Sequence, residues 1–284
     1  MILIVGASGF IGNYFFKSFN KDCIKTLGTA YKNKGEDLIY FDVKNMRLSD
    51  LELKEKPSHI IFSSATTTKI DDTRKFWEES YFANCKKIKE GIEFCFKNNI
   101  TPVFVSTDHV FDGEKGDYKE EDERNPINCY GQIKYEVENY LIESGKPYLI
   151  VRVGKVFGLD VNDETLFSSF IKKMQRNETL NCVSNQIFTP IYIGEMYNFM
   201  KILITKNYNG VFHLASCPTT TFYEVANKIK EYYNFDSEIN SCTWDSFGLL
   251  EKRPVLINLN INKIKEITGF NEKPIEFFLE KIKI

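Results

Sequence analysis

Residues 2–12 of the chain read ILIVGASGFIG, an apolar run followed at once by a glycine-rich turn. In a strand–turn–helix unit, such a turn directs free backbone N–H groups and the positive end of the helix dipole at a pyrophosphate. Gly6 allows the tight turn, Gly9 lets the backbone approach the phosphates, and Gly12 allows the helix to pack closely on the strand. The spacing G-x-x-G-x-x-G differs from the common G-x-G-x-x-G and indicates a distinct subclass of dinucleotide fold. The predicted cofactor-binding residues of the turn are Gly6, Ser8, Gly9, Phe10, Ile11 and Gly12.

Short apolar runs alternate with longer helical patterns through the first half of the chain. The predicted strands include residues 2–5, 24–30, 38–41, 60–62, 103–105 and 149–151, and long helices are predicted over 72–98 and 128–143. This alternation is typical of a parallel sheet covered on both faces. We therefore expect an α/β fold, a Rossmann-like doubly wound parallel sheet with a smaller C-terminal substrate-binding region. The predicted dinucleotide-binding domain spans 1–158, with a segment near 184–215 returning to it, and the substrate-binding region spans 159–284.

The composition of the 284-residue chain is that of an ordinary globular protein, with 43% hydrophobic and 27% charged residues. Lys+Arg 37 against Asp+Glu 39 gives a net charge of -2, which argues against nucleic acid or an anionic membrane as the main partner. No apolar run approaches the ~18 residues of a membrane span, and we expect no signal peptide. The seven cysteines show no metal-ligand spacing and indicate buried thiols in a reducing compartment. A cytoplasmic location is expected.

The end of the second predicted strand bears on the choice of nicotinamide cofactor. An acidic residue about 20 residues past the glycines would hold the ribose 2′-hydroxyl of NAD. Residues 28–34 instead read GTAYKNK, and the first acid is Glu36. Lys32 or Lys34 is suited to the 2′-phosphate of NADP, although two solvated loop lysines explain the pattern nearly as well. NADPH is favoured, NADH stays open, and Tyr31 and Lys32 are predicted to contact the cofactor.

Tyr130 and Lys134 are four residues apart on a predicted helix, so they share one face. A nearby ammonium favours the phenolate and lowers the pKa of a tyrosine, which makes it a better acid–base catalyst. The lysine can also hold the nicotinamide ribose. Thr107 ends a predicted strand, at the edge where open α/β sheets bind ligands, and is placed to donate a hydrogen bond to a substrate oxygen. Together these residues indicate a nicotinamide-dependent oxidoreductase.

At this point the chain resembles an extended short-chain dehydrogenase/reductase, and most of all the dTDP-4-dehydrorhamnose reductase group. The resemblance covers nearly the whole chain and includes GASGFIG (6–12), STDHVFDG (106–113), NPINCYGQIKYEVE (125–138), IVRVGKVFG (150–158), NQIFTPIYIGEM (185–196), GVFHLAS (210–216) and RPVLINLNINKI (253–264). The resemblance implies NADPH-dependent reduction of the 4-keto group of a nucleotide-linked 6-deoxyhexose, a step in the biosynthesis of surface-polysaccharide sugars. A homodimer is also implied.

The resemblance assigns roles to individual positions. Tyr130 would donate the proton, Lys134 would orient the ribose, and Thr107 would hydrogen-bond the carbonyl. The further cofactor contacts implied are Asp42, Val43, Ser63, Ser64, Ala65 and Asn84, and the substrate contacts implied are Thr66, Thr107, Asp108, His109, Lys155 and Arg253. Whether Arg152 contacts the substrate or braces the fold is left open.

Three positions depart from the family pattern. Lys155 stands where the family usually has a tryptophan close to the substrate nucleotide, His109 stands in place of a tyrosine, and residues 66–68 read TTT instead of Ala-Ala-Tyr. A lysine at position 155 is suited to a phosphate or carboxylate, or it faces solvent. Some members of the family depend on Mg²⁺ through acidic residues that have no recognisable counterpart here, and we predict no metal.

Two other functions remain open. The first is a nucleotide-sugar epimerase that retains NAD and returns the hydride. The second is a non-catalytic subunit that keeps the cofactor pocket and regulates a partner. The intact Tyr130, Lys134 and Thr107 argue against the second, because a binding subunit does not need a proton donor.

Overall fold

The computed structural model describes residues 1–31, 38–63 and 69–284. Its centre is a seven-stranded parallel sheet in the order β10-β6-β5-β4-β1-β2-β3. These strands are β1 (Ile2–Val5), β2 (Thr26–Ala30), β3 (Leu38–Tyr40), β4 (His59–Phe62), β5 (Thr101–Thr107), β6 (Leu149–Val153) and β10 (Gly210–Leu214). The chain builds one half of the sheet outward from β1 and then returns to build the other. The doubly wound Rossmann-like fold predicted from the sequence is confirmed.

Helices cover both faces of the sheet. They are α1 (Phe10–Lys21), α2 (Ile70–Lys75), α3 (Trp77–Tyr81), α4 (Lys87–Lys97), α5 (Cys129–Glu143), α6 (Leu166–Gln175), α7 (Ile193–Thr205), α8 (Phe222–Tyr233), α9 (Asn262–Thr268) and α10 (Ile275–Leu279). On one face α1 and α7 pack together, with Phe15, Phe19 and Tyr197 in the shared core. On the other face α4 and α5 pack through Ile88, Ile92 and Val137, among other residues. Both faces of each central strand are therefore apolar, as expected of a covered parallel sheet.

The segment 72–98, predicted to be long enough for helices, is helical but divided into several pieces. The segment consists of α2, α3, a π-helical stretch over Phe82–Lys86, and α4. The chain turns at Phe76, whose backbone leaves the helical region with φ -114° and ψ 46°. Such π-helical stretches are uncommon and occur often at functional sites. Nothing in the local sequence, such as a proline or glycine, signals this break.

The region from Val156 onward forms a smaller second layer. It contains two short parallel pairs, β7 (Val156–Phe157) with β9 (Ile191–Tyr192) and β8 (Leu180–Val183) with β11 (Ile239–Cys242). Helices α6, α8 and α10 pack around a separate core that includes Phe157, Phe167 and Phe278. Helix α7 and strand β10 lie with the large sheet instead. The domain boundary at residue 158 stays a prediction.

No helix within the described ranges is both long enough and apolar enough to cross a membrane.

Candidate active site

The glycine-rich turn lies between β1 and α1. Gly6 has a φ of 91°, a conformation that side chains rarely adopt. A Cβ at Gly12 would overlap the Gly6 carbonyl oxygen and lie 2.8 Å from Ser63 Oγ, so only glycine lets α1 approach the turn this closely. No side chain caps α1, whose N-cap is Gly9, and the first N–H groups of a helix have no partner within it. The turn therefore fits a dinucleotide pyrophosphate.

A cluster of polar side chains lies at the carboxyl end of β5. We call it the strand-end cluster, and it comprises Thr107, Asp108, His109, Tyr130 and Lys134. The first three follow one another along the chain at the end of β5 and in a 3₁₀ turn over Asp108–Val110, and the last two lie on the first two turns of α5. The Thr107 hydroxyl donates to Asp108 Oδ1 over 3.0 Å and also bonds to Tyr130. The rings of His109 and Tyr130 meet edge to face with centroids 5.9 Å apart.

Burial controls the pKa of Tyr130 and of Lys134. Burial raises the pKa of Tyr130 to about 12, with a smaller lowering by the hydrogen bond from Thr107. From the sequence we expected Lys134 to lower this pKa, but the Lys134 ammonium donates to the Val105 carbonyl over 2.9 Å and lies over the Phe104 ring. Burial also lowers the pKa of Lys134 itself to about 8, against a raising effect of Glu138. Tyr130 is consequently protonated at neutral pH, the state that a proton donor needs.

Asn128 determines the orientation and the protonation state of His109. As the N-cap of α5, Asn128 accepts from the Gly131 N–H through Oδ1 over 2.9 Å, which sets the direction of its amide. Its Nδ2 then donates to His109 Nδ1 over 3.1 Å, so the proton of the neutral ring is assigned to Nε2. Burial lowers the pKa of His109 to about 3. His109 therefore acts as a fixed neutral donor beside Tyr130.

Asp108, Lys155 and Arg253 lie close enough to influence one another electrostatically. Burial raises the pKa of Asp108 to about 6, and the positive charge of Lys155 partly opposes this rise. Burial lowers the pKa of Lys155, against the raising effect of Asp108. Arg253 donates to Asp71 over 3.1 Å and to the Glu251 carbonyl over 2.8 Å. Two cations, Lys155 and Arg253, thus border the strand-end cluster.

A second group of polar side chains lies deeper in the fold, on β5, α5, β6, β10 and the loop before α5. We call it the buried ion-pair cluster, and it comprises Ser106, Arg124, Glu138, Arg152 and His213. Glu138 accepts from Arg152 Nη2 over 2.8 Å, from Arg124 Nη1 over 2.9 Å and from the Ser106 hydroxyl over 2.5 Å. Arg152 Nη1 donates to the Glu120 carbonyl oxygen and, at 3.1 Å, to His213 Nε2. In the structure Arg152 braces the fold, which answers the question that the sequence left open.

The remaining predicted residues occupy several places. Ser63 lies against the glycine turn, with its hydroxyl donating to the Val5 carbonyl over 3.1 Å. Tyr31 lies at the end of β2, where its ring meets that of Tyr40 with centroids 6.2 Å apart. Asp42 accepts from Lys44 N and Asn45 Nδ2 within its own turn, and Val43 packs on the core. Asn84 lies in the π-helical stretch. Four predicted residues, Lys32, Ser64, Ala65 and Thr66, lie outside the described residues.

Asn128, Phe222 and Trp244 belong to the site but were not predicted from the sequence. An asparagine directly before a helix is an N-cap signal, so Asn128 was within reach of sequence reasoning. Phe222 and Trp244 lie far along the chain from the other site residues, and no spacing rule connects them to it. Among the described residues, no group of three or more His, Cys, Asp or Glu side chains is arranged to hold a metal ion.

A doubly wound sheet with a glycine-rich turn, and with Thr107, Tyr130 and Lys134 beside it, defines a nicotinamide-dependent oxidoreductase of the short-chain dehydrogenase/reductase type. The model of the family described as "RmlD substrate binding domain" matches residues 1–282, and the chain belongs to that family. This confirms the resemblance to the dTDP-4-dehydrorhamnose reductases stated from the sequence.

Individual relatives agree with this assignment. The chain is 26% identical over 302 residues to a dTDP-4-dehydrorhamnose reductase of Aggregatibacter actinomycetemcomitans, covering 99% of this chain and 98% of that protein. The structure matches a dTDP-4-dehydrorhamnose reductase from Bacillus anthracis, solved in complex with NADP, at a TM-score of 0.86 and 25% identity over 99% of this chain and 97% of that one. The chain is also 22% identical over 296 residues to the methionine adenosyltransferase 2 subunit beta of Mus musculus, covering 99% of this chain and 89% of that protein.

Proposed function

We propose that this protein is an NADPH-dependent reductase of the 4-keto group of a nucleotide-linked sugar, in the biosynthesis of surface-polysaccharide sugars. The observation that carries the proposal is the meeting of Thr107, Tyr130 and Lys134 at the carboxyl end of β5. The match to a family that contains dTDP-4-dehydrorhamnose reductases supports the same reaction.

Three side chains share the work at the carbonyl oxygen and the cofactor. Tyr130, held protonated by burial, donates its proton to the oxygen as negative charge develops there. The Thr107 hydroxyl, which donates to Asp108 Oδ1 in the structure, would turn its proton to the same oxygen when the substrate is bound and so fix the carbonyl beside Tyr130. Lys134, whose ammonium donates to the Val105 carbonyl, would hold the nicotinamide ribose.

NADPH, when bound, supplies the hydride, and the chain supplies its binding and its orientation. The turn from Gly6 to Gly12, with Ser63 against it, would hold the pyrophosphate through backbone N–H groups. Tyr31 and Lys32 would lie at the adenosine end. Asp42, Val43, Ser64, Ala65 and Asn84 keep the cofactor roles expected from the sequence. Thr66, Asp108, His109, Lys155 and Arg253 keep the role of contacting the substrate.

The test is the oxidation of NADPH by the purified protein against a panel of dTDP-, GDP-, CDP- and UDP-linked 4-keto sugars, both 6-deoxy sugars and 6-carboxylates, with NADH in parallel. Rapid oxidation with one nucleotide series supports the proposal and identifies the base. No oxidation across the panel, with NADPH binding intact, contradicts it.

A regulatory subunit is the second candidate, because a methionine adenosyltransferase subunit beta is among the relatives. Such a subunit would bind NADP and form a complex without turning over any sugar in the panel. An epimerase would instead be purified with tightly bound NAD. Turnover of the panel separates the reductase from the subunit, and the bound nucleotide, extracted and identified after denaturation, separates the epimerase from both.

The proposal includes a homodimer in the cytoplasm. All seven cysteines are unpaired, which fits a reducing compartment. Sedimentation analysis of the purified protein checks the dimer, and fractionation of the source cells checks the location.

A further inference from the structure

Lys155 is a positive charge at the edge of the strand-end cluster, and no described residue is its direct partner. It directly follows Gly154, at which a Cβ would lie 3.0 Å from Asp108 Oδ2, so the lysine begins one residue from the cluster. Within the described ranges its ammonium makes no ion pair or hydrogen bond, and its contact is with the face of Phe222, 5.6 Å from the ring centroid. A packed ammonium that meets no acceptor is costly unless a ligand supplies one.

The surroundings of Lys155 form a wall of aromatic rings and cations. Phe222 meets Trp244 edge to face at 5.6 Å, and the Arg253 guanidinium lies 5.8 Å from the Trp244 ring. The Trp244 indole Nε1 is buried and has no acceptor among the described residues. Within the part of the chain that the structure describes, the wall therefore carries two donors without a partner, Lys155 Nζ and Trp244 Nε1, and both favour an oxygen-rich anion.

The position of Lys155 decides which part of a substrate it faces. In the proposed reaction the carbonyl carbon, C4 of the sugar, lies beside Thr107 and Tyr130. Lys155 is close to Asp108, the residue after Thr107, and is therefore on the C4 side of the sugar. The diphosphate of a nucleotide sugar is attached to C1, across the ring from C4. Asp108 and Lys155 influence each other electrostatically, yet they form no ion pair within 4.0 Å, so the ammonium is left for a third group.

We propose that Lys155 is a specificity-determining residue that binds a carboxylate on the sugar ring, so that the substrate is an acidic nucleotide sugar such as a nucleoside diphosphate hexuronic acid. This inference rests on the proposed function. It narrows the substrate class from nucleotide-linked keto sugars in general to those with a negative charge close to C4. The lysine contributes through a charge-assisted hydrogen bond that a neutral sugar cannot make.

Ligand binding tests this without turnover. UDP-glucuronic acid and UDP-glucose differ only at C6, and their affinities are measured by calorimetry in the presence of saturating NADP⁺, together with the corresponding dTDP pair and with UDP and dTDP alone. We expect the acidic member of a pair to bind roughly ten- to a hundredfold more tightly than the neutral one. Lys155→Met should abolish this difference and leave the affinity for UDP and dTDP unchanged, while Lys155→Arg should retain most of it.

Lys281→Met is the matched control, because the Lys281 ammonium also lies over a phenylalanine ring, 4.4 Å from the centroid of Phe277, but it follows α10 near the end of the chain. The Lys281→Met variant should prefer the acidic over the neutral nucleotide sugar as strongly as the unmodified protein does. Equal affinities for the acidic and neutral members, or tighter binding of the neutral one, would overturn this inference and leave the proposed function standing. A uniform loss for UDP and both sugars in Lys155→Met would also overturn it, since the lysine would then bind the diphosphate. Binding of NADP⁺ without binding of any nucleotide or nucleotide sugar would overturn both.

Discussion

The strand-end cluster and the buried ion-pair cluster share strand β5 and helix α5, yet they treat their polar groups in opposite ways. Glu138 is fully enclosed and receives hydrogen bonds from Ser106, Arg124 and Arg152. Tyr130 of the strand-end cluster and the neighbouring Lys155 lie nearer the carboxyl edge of the sheet. They have few polar partners within the described residues. The two clusters meet at neighbouring positions on β5, where Ser106 bonds to Glu138 and Thr107 bonds to Tyr130.

This difference shows how the same sheet serves stability and chemistry. A buried charge whose hydrogen bonds are all made inside the protein contributes to a single well-defined structure, and breaking it is costly. A buried polar group without such partners is available to a ligand. Substitutions in the buried ion-pair cluster should therefore change the free energy of unfolding. Substitutions in the strand-end cluster should change binding or turnover.

The largest expected effect is on turnover. Tyr130→Phe removes the proton donor and should lower kcat by about 10²–10⁴-fold, while the affinity for NADP⁺ and the free energy of unfolding change little. Steady-state kinetics measure kcat, and urea unfolding measures the free energy of unfolding. Tyr140→Phe, on the same helix but bonded to Glu93, is the control and should keep full activity. An unchanged kcat in Tyr130→Phe would remove Tyr130 as the acid.

Glu138→Gln should have the reverse profile. It leaves Arg124 and Arg152 facing a neutral amide in a buried place, and breaking such a pair costs about 3–5 kcal/mol of unfolding free energy. The midpoint of urea denaturation measures the loss. Glu136→Gln, two residues away and partly exposed beside Lys89, should cost less than about 1 kcal/mol. Equal losses in the two variants would show that enclosure of the charge does not decide its contribution.

Local patterns in the sequence were sufficient to predict the parts of the molecule that depend on local geometry. The glycine turn follows its strand directly, and Tyr130 and Lys134 share a helix face because of their spacing, so both needed only short-range rules. The role of Glu138 was not predictable in this way. On a helix a glutamate looks like any surface charge until the two arginines that meet it, from outside that helix, are known. The wall of Phe222 and Trp244 beside Lys155 depends in the same way on long-range packing.

The acid stability of the protein links the two clusters, because each contains one buried histidine. Burial lowers the pKa of His109 to about 3 and holds the pKa of His213 well below its usual range. An unfolded histidine has a pKa of about 6.5, so below that pH the unfolded state binds protons that the native state does not, and stability falls as the pH falls. Asp108 acts in the opposite direction, since its native pKa of about 6 adds stability as the pH falls through that value.

The two histidines outweigh the single carboxyl group. The free energy of unfolding should therefore fall by about 2–3 kcal/mol between about pH 7 and about pH 5. Urea denaturation at a series of pH values measures this fall, and His109→Gln should reduce its slope. An unfolding free energy that stays constant or rises as the pH falls over this range would contradict this prediction, because the histidine rings would then be taking up protons in the native state.

The smallest expected effects come from adjacent residues, and they make the sharpest comparison. Ser106→Ala removes one of several donors to Glu138 and should cost about 1 kcal/mol of stability with kcat unchanged, because both arginines remain. Thr107→Val keeps the shape of the side chain and removes the hydroxyl beside Tyr130. It should lower kcat about tenfold with a smaller change in stability, because Asp108 keeps its hydrogen bonds to the backbone. If Ser106→Ala reduced kcat as much as Thr107→Val does, the two clusters would be one functional unit, and the division between stability and chemistry along β5 would be wrong.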